Sequence, residues 1–356
     1  MPAPTIFLST ARAVFALLAI SFLAISSVPA DAADIVLRFA STNAEGSVPY
    51  EKALVPFARS VEEDSGGRIE VALKPIGGYG KPAELFEMVE RGDIEIAATV
   101  QGYNPGRFPQ SSVMELPFMC PSAVAGTQAV MSLYREGLLS EDYASVKVLA
   151  VYMQPPFAIF TTGKKLQSLR DFRGLRMRAP SITVGLALAK LGAVPLGTPL
   201  NTVGDSIASG YIDAIAFGWD LAATTKGVGG KPVADQLNVG IDAQLAAPAL
   251  MVVMNRATFE KLPDDLKAIV EKRGAELAMV SARARDAQEA VSKKKILSDP
   301  RYTALNFSDE QRAELQRLTA PAIQDWMASM AKLGIDSDRL YKRAIELVQR
   351  YKVAAK

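Results

Sequence analysis

Between Asp171 and Asp220 the chain alternates strand, helix, strand, helix and strand, and this commits the region to a parallel sheet. Leu175-Arg176-Met177-Arg178 alternates apolar and basic, the period of a short strand. Pro180-Ser181 stops it and opens a helix from Val184 to Leu191, which Gly192 ends. Val194-Pro195-Leu196 is the next strand. A helix follows from Thr202 to Ser209, with Asn201 as its cap and Gly210 as its end. Ile212 to Phe217 is small and apolar, a strand buried on both faces. Ligands of such sheets sit beyond the carboxyl ends of the strands. Arg178 stands at one such end; Phe217, Trp219 and Asp220 stand at another.

The same βα rhythm begins at Asp34. Ile35–Ala40, Arg68–Leu73 and Asp93–Ala98 read as strands, with helices over Tyr50–Asp64 and Ala83–Arg91 between them. Gly92-Asp93-Ile94-Glu95-Ile96-Ala97-Ala98 echoes Gly210-Tyr211-Ile212-Asp213-Ala214-Ile215-Ala216. Two similar α/β halves imply a clamshell with its ligand between the lobes. Val146–Tyr152 and Phe157–Thr161 are strands around Pro155-Pro156, a crossing between lobes, and Ile241–Pro248 is a second crossing. Leu250–Asn255 is a buried strand. Asp264 to Lys295 is one long helix whose only helix-weakening residue is Gly274. Ser308–Leu333 and Ser337–Tyr351 are amphipathic helices.

Composition removes several kinds of chemistry. The 356 residues suffice for two domains, and 49% hydrophobic with 22% charged residues fits a globular chain with a sizeable core. A net charge of +2 without a basic block gives no nucleic-acid partner. No histidine means the commonest general base and metal ligand are missing. The single cysteine, Cys120, rules out an internal disulfide and a cysteine zinc cluster, and reads as a small packed hydrophobe. Arg12 is the only charge in the first thirty residues, Ala13–Ser26 is apolar, and Ala30-Asp31-Ala32 has the small-x-small pattern of a cleavage site. Residues 1–32 are therefore expected to be a cleaved signal peptide and the mature chain periplasmic, with no cysteine placed for lipid attachment.

The central segment carries a family resemblance. Asp171-Phe172-Arg173-Gly174-Leu175-Arg176-Met177-Arg178-Ala179-Pro180, then Gly192-Ala193-Val194-Pro195, then Gly210-Tyr211-Ile212-Asp213 resemble, in order and spacing, three stretches of the DctP family. Its members are the solute-binding subunits of tripartite ATP-independent periplasmic (TRAP) transporters. Gly102-Tyr103-Asn104-Pro105-Gly106, Glu115-Leu116-Pro117-Phe118 and Asn255–Pro263 also resemble family segments, so the likeness runs from Asp34 to Leu333. It implies an α/β two-lobed periplasmic-binding-protein clamshell with a long lobe-bridging helix and C-terminal helices. Lobe I takes residues 34–155 and 244–282; lobe II takes 156–243 and 283–356. The resemblance also implies a non-enzymatic binding protein that needs no cofactor or metal and hands its ligand to membrane subunits. Whether it is a monomer or dimer stays open.

The family places its ligand-binding arginine where Arg178 stands. A guanidinium offers a planar fork that matches a carboxylate. Family members often carry a second polar or basic contact some twenty residues earlier; here that neighbourhood is the apolar Pro155-Pro156-Phe157-Ala158-Ile159-Phe160. One branch reads F-P-(W/Y)-E after its third strand, and Phe217-Gly218-Trp219-Asp220 comes close, with Gly in place of Pro. One arginine flanked by Phe157, Phe217 and Trp219 suits an apolar or aromatic monocarboxylate better than a C4-dicarboxylate, whose second charge lacks a partner. Asn43, Tyr79, Gln101, Tyr103 and Asp220 complete the expected site. Two other readings share the scaffold: an ATP-driven transporter's binding protein for amino acids or other solutes, and an enzyme using carboxylates such as Asp213 and Asp220.

Overall fold

The computed structural model describes residues 33–354 apart from 164, 165 and 167. The proposed signal peptide lies outside the described residues. In chain order the first half runs β1 (Ile35–Ser41), a π turn (Tyr50–Leu54) leading into α1 (Val55–Asp64), β2 (Ile69–Lys74), α2 (Leu85–Arg91), β3 (Ile96–Val100), α3 (Ala123–Arg135), β4 (Val146–Met153) and β5 (Ala158–Thr161). Then follow β6 (Arg176–Ala179), α4 (Ile182–Lys190), β7 (Val194–Gly197), α5 (Val203–Ala208), β8 (Ala214–Phe217), α6 (Trp219–Thr224), β9 (Val239–Ile241) and β10 (Ala249–Asn255). The chain closes with α7 (Arg256–Lys261), α8 (Asp264–Leu297), β11 (Thr303–Leu305), α9 (Asp309–Thr319), α10 (Pro321–Lys332) and α11 (Ser337–Ala354).

The strands form two mixed sheets, ordered β2-β1-β3-β10-β4 and β11-β9-β5-β8-β6-β7. The sequence echo has a topological counterpart. In the first sheet β1 pairs in parallel with β2 and β3; in the second, β6 pairs in parallel with β7 and β8. Next to each third strand lies an antiparallel strand that arrives from the other lobe: β10 beside β3 and β5 beside β8. The two crossings run side by side, with Phe157 N–H donating to Ala246 O at 2.8 Å and Gln154 N–H to Pro248 O at 3.2 Å. Beside them the Phe118 amide donates to Leu245 O at 2.8 Å, and Phe118 (φ 61°) and Gln244 (φ 49°) hold left-handed backbone, a strained conformation for side chains of this size.

Helix α8 is a third link between the lobes. Leu266, Val270, Gly274, Leu277, Ala278, Ser281, Ala282 and Arg285 form its buried stripe, at helix spacing. Gly274 sits where α8 crosses β4: a Cβ there would come within 2.7 Å of Leu149 O. The last helices depart from the sequence-based expectation. The predicted single helix over 308–333 breaks between α9 and α10, because Pro321 has no N–H and takes the first turn of a new helix. The C-terminal helix, expected with lobe II, packs on α3 of the first lobe, where Leu340, Ala344, Leu347 and Val348 join the core around Val130 and Leu133.

Local boundaries shift for identifiable reasons. β3 begins at Ile96 rather than Asp93, since its pairing with β1 starts at Phe39–Ile96 and the Glu95 side chain instead holds Arg38. Asn201 does not cap α5; a 3₁₀ turn over Leu200–Thr202 feeds that helix, and no side chain caps it. Gly92 (φ 80°) closes α2 as the sequence predicted, in the left-handed conformation that favours glycine. Among the described residues no helix is long and apolar enough to cross a membrane.

Candidate functional site

Arg178 reaches the cleft because β6 ends there. Met177, on the opposite face, is fully buried in the core of the second lobe. Arg176, two residues earlier on the same face, emerges at the outer end of the strand and forms a two-pronged pair with Asp213, with Nε 3.0 Å from Oδ2 and Nη2 3.0 Å from Oδ1. One turn of pleat further on, Arg178 is 3% exposed. Its Nε donates to Thr198 O at 3.1 Å and its Nη1 to Ala216 O at 3.3 Å. The Phe217 ring supports the guanidinium, whose carbon lies 5.4 Å from the ring centroid. Among the described residues no carboxylate pairs with it. Burial draws the guanidinium's pKa below its ordinary value, and the facing Tyr103 hydroxyl offsets part of that pull.

A narrow cavity lies in front of this guanidinium, between the lobes. Its polar wall is Thr42, Asn43, Tyr103, Gln154 and Arg178. Its remaining lining is apolar: Val100, Phe157, Pro180, Leu200, Leu221, Pro248 and Leu250. The cavity thus holds one cation, neutral polar groups and no carboxylate. That is the complement of a small organic anion with an apolar body. Among the described residues there is no cluster of carboxylates or thiols placed to hold a metal ion.

The lobes are closed over this space. Tyr103, from the first lobe, accepts a hydrogen bond from the Leu200 amide of the second at 3.3 Å. Gly102 lies so near the second lobe that a Cβ would fall 2.3 Å from Pro180 O and 2.6 Å from the Ser181 Cβ. Glu115 in the first-lobe loop is 3% exposed, accepts from the Ala249 amide at 2.9 Å and faces the Ser181 hydroxyl across the seam. Burial pushes the Glu115 carboxyl up to about 7; the amide and the hydroxyl hold it from rising further.

Four residues expected at the site, Asn43, Tyr103, Phe157 and Arg178, line this cavity together. The other five lie outside it. Phe217 is fully buried and meets the cavity's edge as the ring beneath the Arg178 guanidinium. Trp219 packs edge-on against Phe160, with centroids 4.8 Å apart, and fills the notch above Gly240. Gln101 turns away to donate to the Tyr143 hydroxyl. Tyr79 donates to Ala72 O at 3.0 Å within the first lobe. Asp220 is buried, accepts from the Leu221 amide at 2.7 Å and faces Glu289 of α8. Gly218, found where the resembling branch has proline, is explained here: a Cβ would meet Asp220 Oδ1 at 2.7 Å and Glu289 Oε2 at 3.2 Å. The lining residues Thr42, Gln154 and Leu221 carried no local signal in the sequence; only the meeting of the two lobes brings them to one place.

Comparison with known proteins agrees with this architecture. The family model described as bacterial extracellular solute-binding protein, family 7 (DctP) matches residues 39–330. A TRAP solute-binding protein from Rhodoferax ferrireducens, solved with copurified benzoate, superposes with a TM-score of 0.84 at 27% identity, covering 90% of this chain and 99% of its own. A marine metagenome TRAP solute-binding protein described as specific for aromatic acid ligands, solved with 3-hydroxybenzoate, has a TM-score of 0.83 at 30% identity, with coverage of 90% and 99%. The sialic acid-binding periplasmic protein SiaP of Vibrio cholerae is 25% identical over 255 residues, 71% of this chain and 77% of its own length. This chain therefore belongs to family 7 of the bacterial extracellular solute-binding proteins, the DctP family of TRAP solute-binding subunits.

Proposed function

We propose that this protein captures a small aromatic or apolar monocarboxylate in the interlobe cavity, with Arg178 as the carboxylate clamp, and releases it to TRAP membrane subunits after export through its signal peptide. The observation that carries this reading is the Arg178 guanidinium, 97% buried and without a carboxylate partner among the described residues, at the edge of a mostly apolar cavity. A buried cation that stays charged is strongly unfavourable without an anion. A bound carboxylate would supply one. The benzoate and 3-hydroxybenzoate held by the two structural relatives support the aromatic class. A second carboxylate would find no second cation lining this cavity. Binding, closure and release need no bond-making step and no cofactor, and membership in the DctP family favours this reading over the ATP-driven alternative.

The test is thermal unfolding of the mature protein against benzoates, phenylacetates, C4-dicarboxylates, sugar acids and amino acids. A ligand present at a hundred times its dissociation constant adds ~2.7 kcal/mol of stability, a rise of several degrees at this size. Shifts from aromatic acids that disappear in Arg178→Ala are expected. Removing one side of a buried charge pair costs ~3–5 kcal/mol, more than a hundredfold in affinity. Shifts confined to dicarboxylates would overturn the ligand class, and shifts that survive Arg178→Ala would overturn the clamp.

A further inference from the structure

A second arginine lies behind the cavity wall. Arg285 of α8 is fully buried, and among the described residues no carboxylate pairs with it. Its Nε donates to Ser281 Oγ at 3.3 Å and its Nη2 to Asn43 Oδ1 at 3.3 Å; the Tyr152 hydroxyl also faces it, and Nη1 has no partner. Asn43 is the residue between Arg285 and the ligand space. An asparagine amide can turn either its oxygen or its nitrogen to a neighbour, and the network decides which. Arginine has five donors and no acceptor, so only the oxygen of Asn43 can face it. The nitrogen then donates to Ser41 Oγ at 3.1 Å, and that hydroxyl oxygen also accepts the Asn43 backbone amide at 2.9 Å. One N–H of Asn43 Nδ2 is left without an acceptor in the protein.

We infer that Arg285 is a positioning residue for ligand selection: by holding the Asn43 oxygen it makes Asn43 a fixed donor toward the cavity. The cleft then selects organic acids whose second polar group is an acceptor, such as a keto, formyl or ether oxygen, and discriminates against those whose second group only donates. This rests on the carboxylate-binding reading of the same cleft. Arg178 holds the acid, and Asn43 reads the rest of the molecule.

The experiment is calorimetric titration with benzoate, the formylbenzoates and the aminobenzoates, comparing isomers at the ring position that binds best. Wild type is expected to favour formyl over amino by about tenfold, the effect of one hydrogen bond made against one donor left facing another. Asn43→Asp gives Arg285 a carboxylate partner and presents only acceptors, so the preference should invert. Arg285→Met frees the Asn43 amide to flip, so the preference should fall to within about twofold of unity while benzoate itself changes less. An unchanged preference in Asn43→Asp overturns the inference, whether or not Arg285→Met folds. So does an equal loss for all three ligands in Arg285→Met, which would mark a purely structural role. Wild type that binds none of these acids overturns the aromatic-carboxylate reading and this inference with it; binding with a preference that neither variant alters overturns this inference alone.

Discussion

Asp286 and Glu289, three residues apart on α8, each close the N-terminus of a helix in a different lobe. The Ala123 and Val124 amides that open α3 donate to Asp286 at 2.8 and 2.9 Å. The Trp219 and Asp220 amides that open α6 donate to Glu289 at 2.7 and 2.9 Å. The first amides of a helix have no partners within it, and each carboxyl group supplies acceptor oxygens for two of them. Residues three apart share one helix face, so a single stripe of α8 holds both lobes. Lobe motion must either bend α8 or pivot about these contacts.

Replacing either acid leaves two helix amides without their partner. Asp286→Ala should lower the unfolding free energy by ~1–2 kcal/mol, the usual effect of losing an N-terminal cap. Glu289→Ala should cost a similar amount and in addition change ligand affinity, because α6 carries the cavity residue Leu221. Urea unfolding with and without ligand separates the two effects. No loss of stability in either variant would sink the bracing role of α8.

Gly274 sets two known magnitudes against each other. Alanine in place of glycine within a helix is favourable by ~1 kcal/mol. Here the added methyl would press on the Leu149 carbonyl from 2.7 Å, which neither backbone can yield without shifting α8 off β4. Overpacking of this kind costs ~1–3 kcal/mol. Gly274→Ala is therefore expected to destabilise, and a higher melting temperature in that variant would show that the two elements can slide apart freely.

Glu115 should make stability depend on pH in one direction. Its carboxyl ordinarily titrates near 4.5 and is pushed up to about 7 in the folded chain, with burial as the main cause. The folded state therefore holds this proton more tightly than the unfolded state. The resulting stability is complete below pH 4.5 and is lost as pH rises through 7. Glu115→Gln keeps the acceptor for Ala249 and removes the titration. The variant should gain on wild type by up to ~3 kcal/mol between pH 4.5 and 8, measured by urea unfolding at each pH. A difference that stays flat across that range would mean that Glu115 is ionised in the fold throughout.

What was legible in the sequence followed local rules. The βαβαβ run around Arg178, the long α8 and the echo of Gly92–Ala98 in Gly210–Ala216 all reflect hydrophobic period and helix-ending glycines, and all three have structural counterparts. The site was legible only at strand and loop ends that face the cleft, as with Arg178 and Tyr103. Trp219 and Asp220 sit at a strand end too, yet Phe160 and Glu289 engage them, and those partners are 59 and 69 residues away in sequence. Arg285 lay inside the long helix read from Asp264 to Lys295 with no role marked by the local pattern; only tertiary packing turns it inward against Asn43. Long-range side-chain partners leave no period in a single sequence.

Gly102 permits the closed state. With any side chain, its Cβ would meet the Pro180 carbonyl oxygen at 2.3 Å, a backbone contact between lobes that can be relieved only by parting them. Gly102→Ala should therefore leave the open form untouched and penalise the closed form by an overpacking term of ~1–3 kcal/mol. On the proposed reading the closed form holds the ligand, so apparent affinity falls by the fraction of that form lost, about tenfold for each 1.4 kcal/mol. The expected pattern is an unchanged melting temperature without ligand and weaker binding of every ligand by a similar factor. Unaltered affinity would show that the Gly102–Pro180 contact yields without parting the lobes. A loss limited to some ligands would place Gly102 in recognition rather than closure.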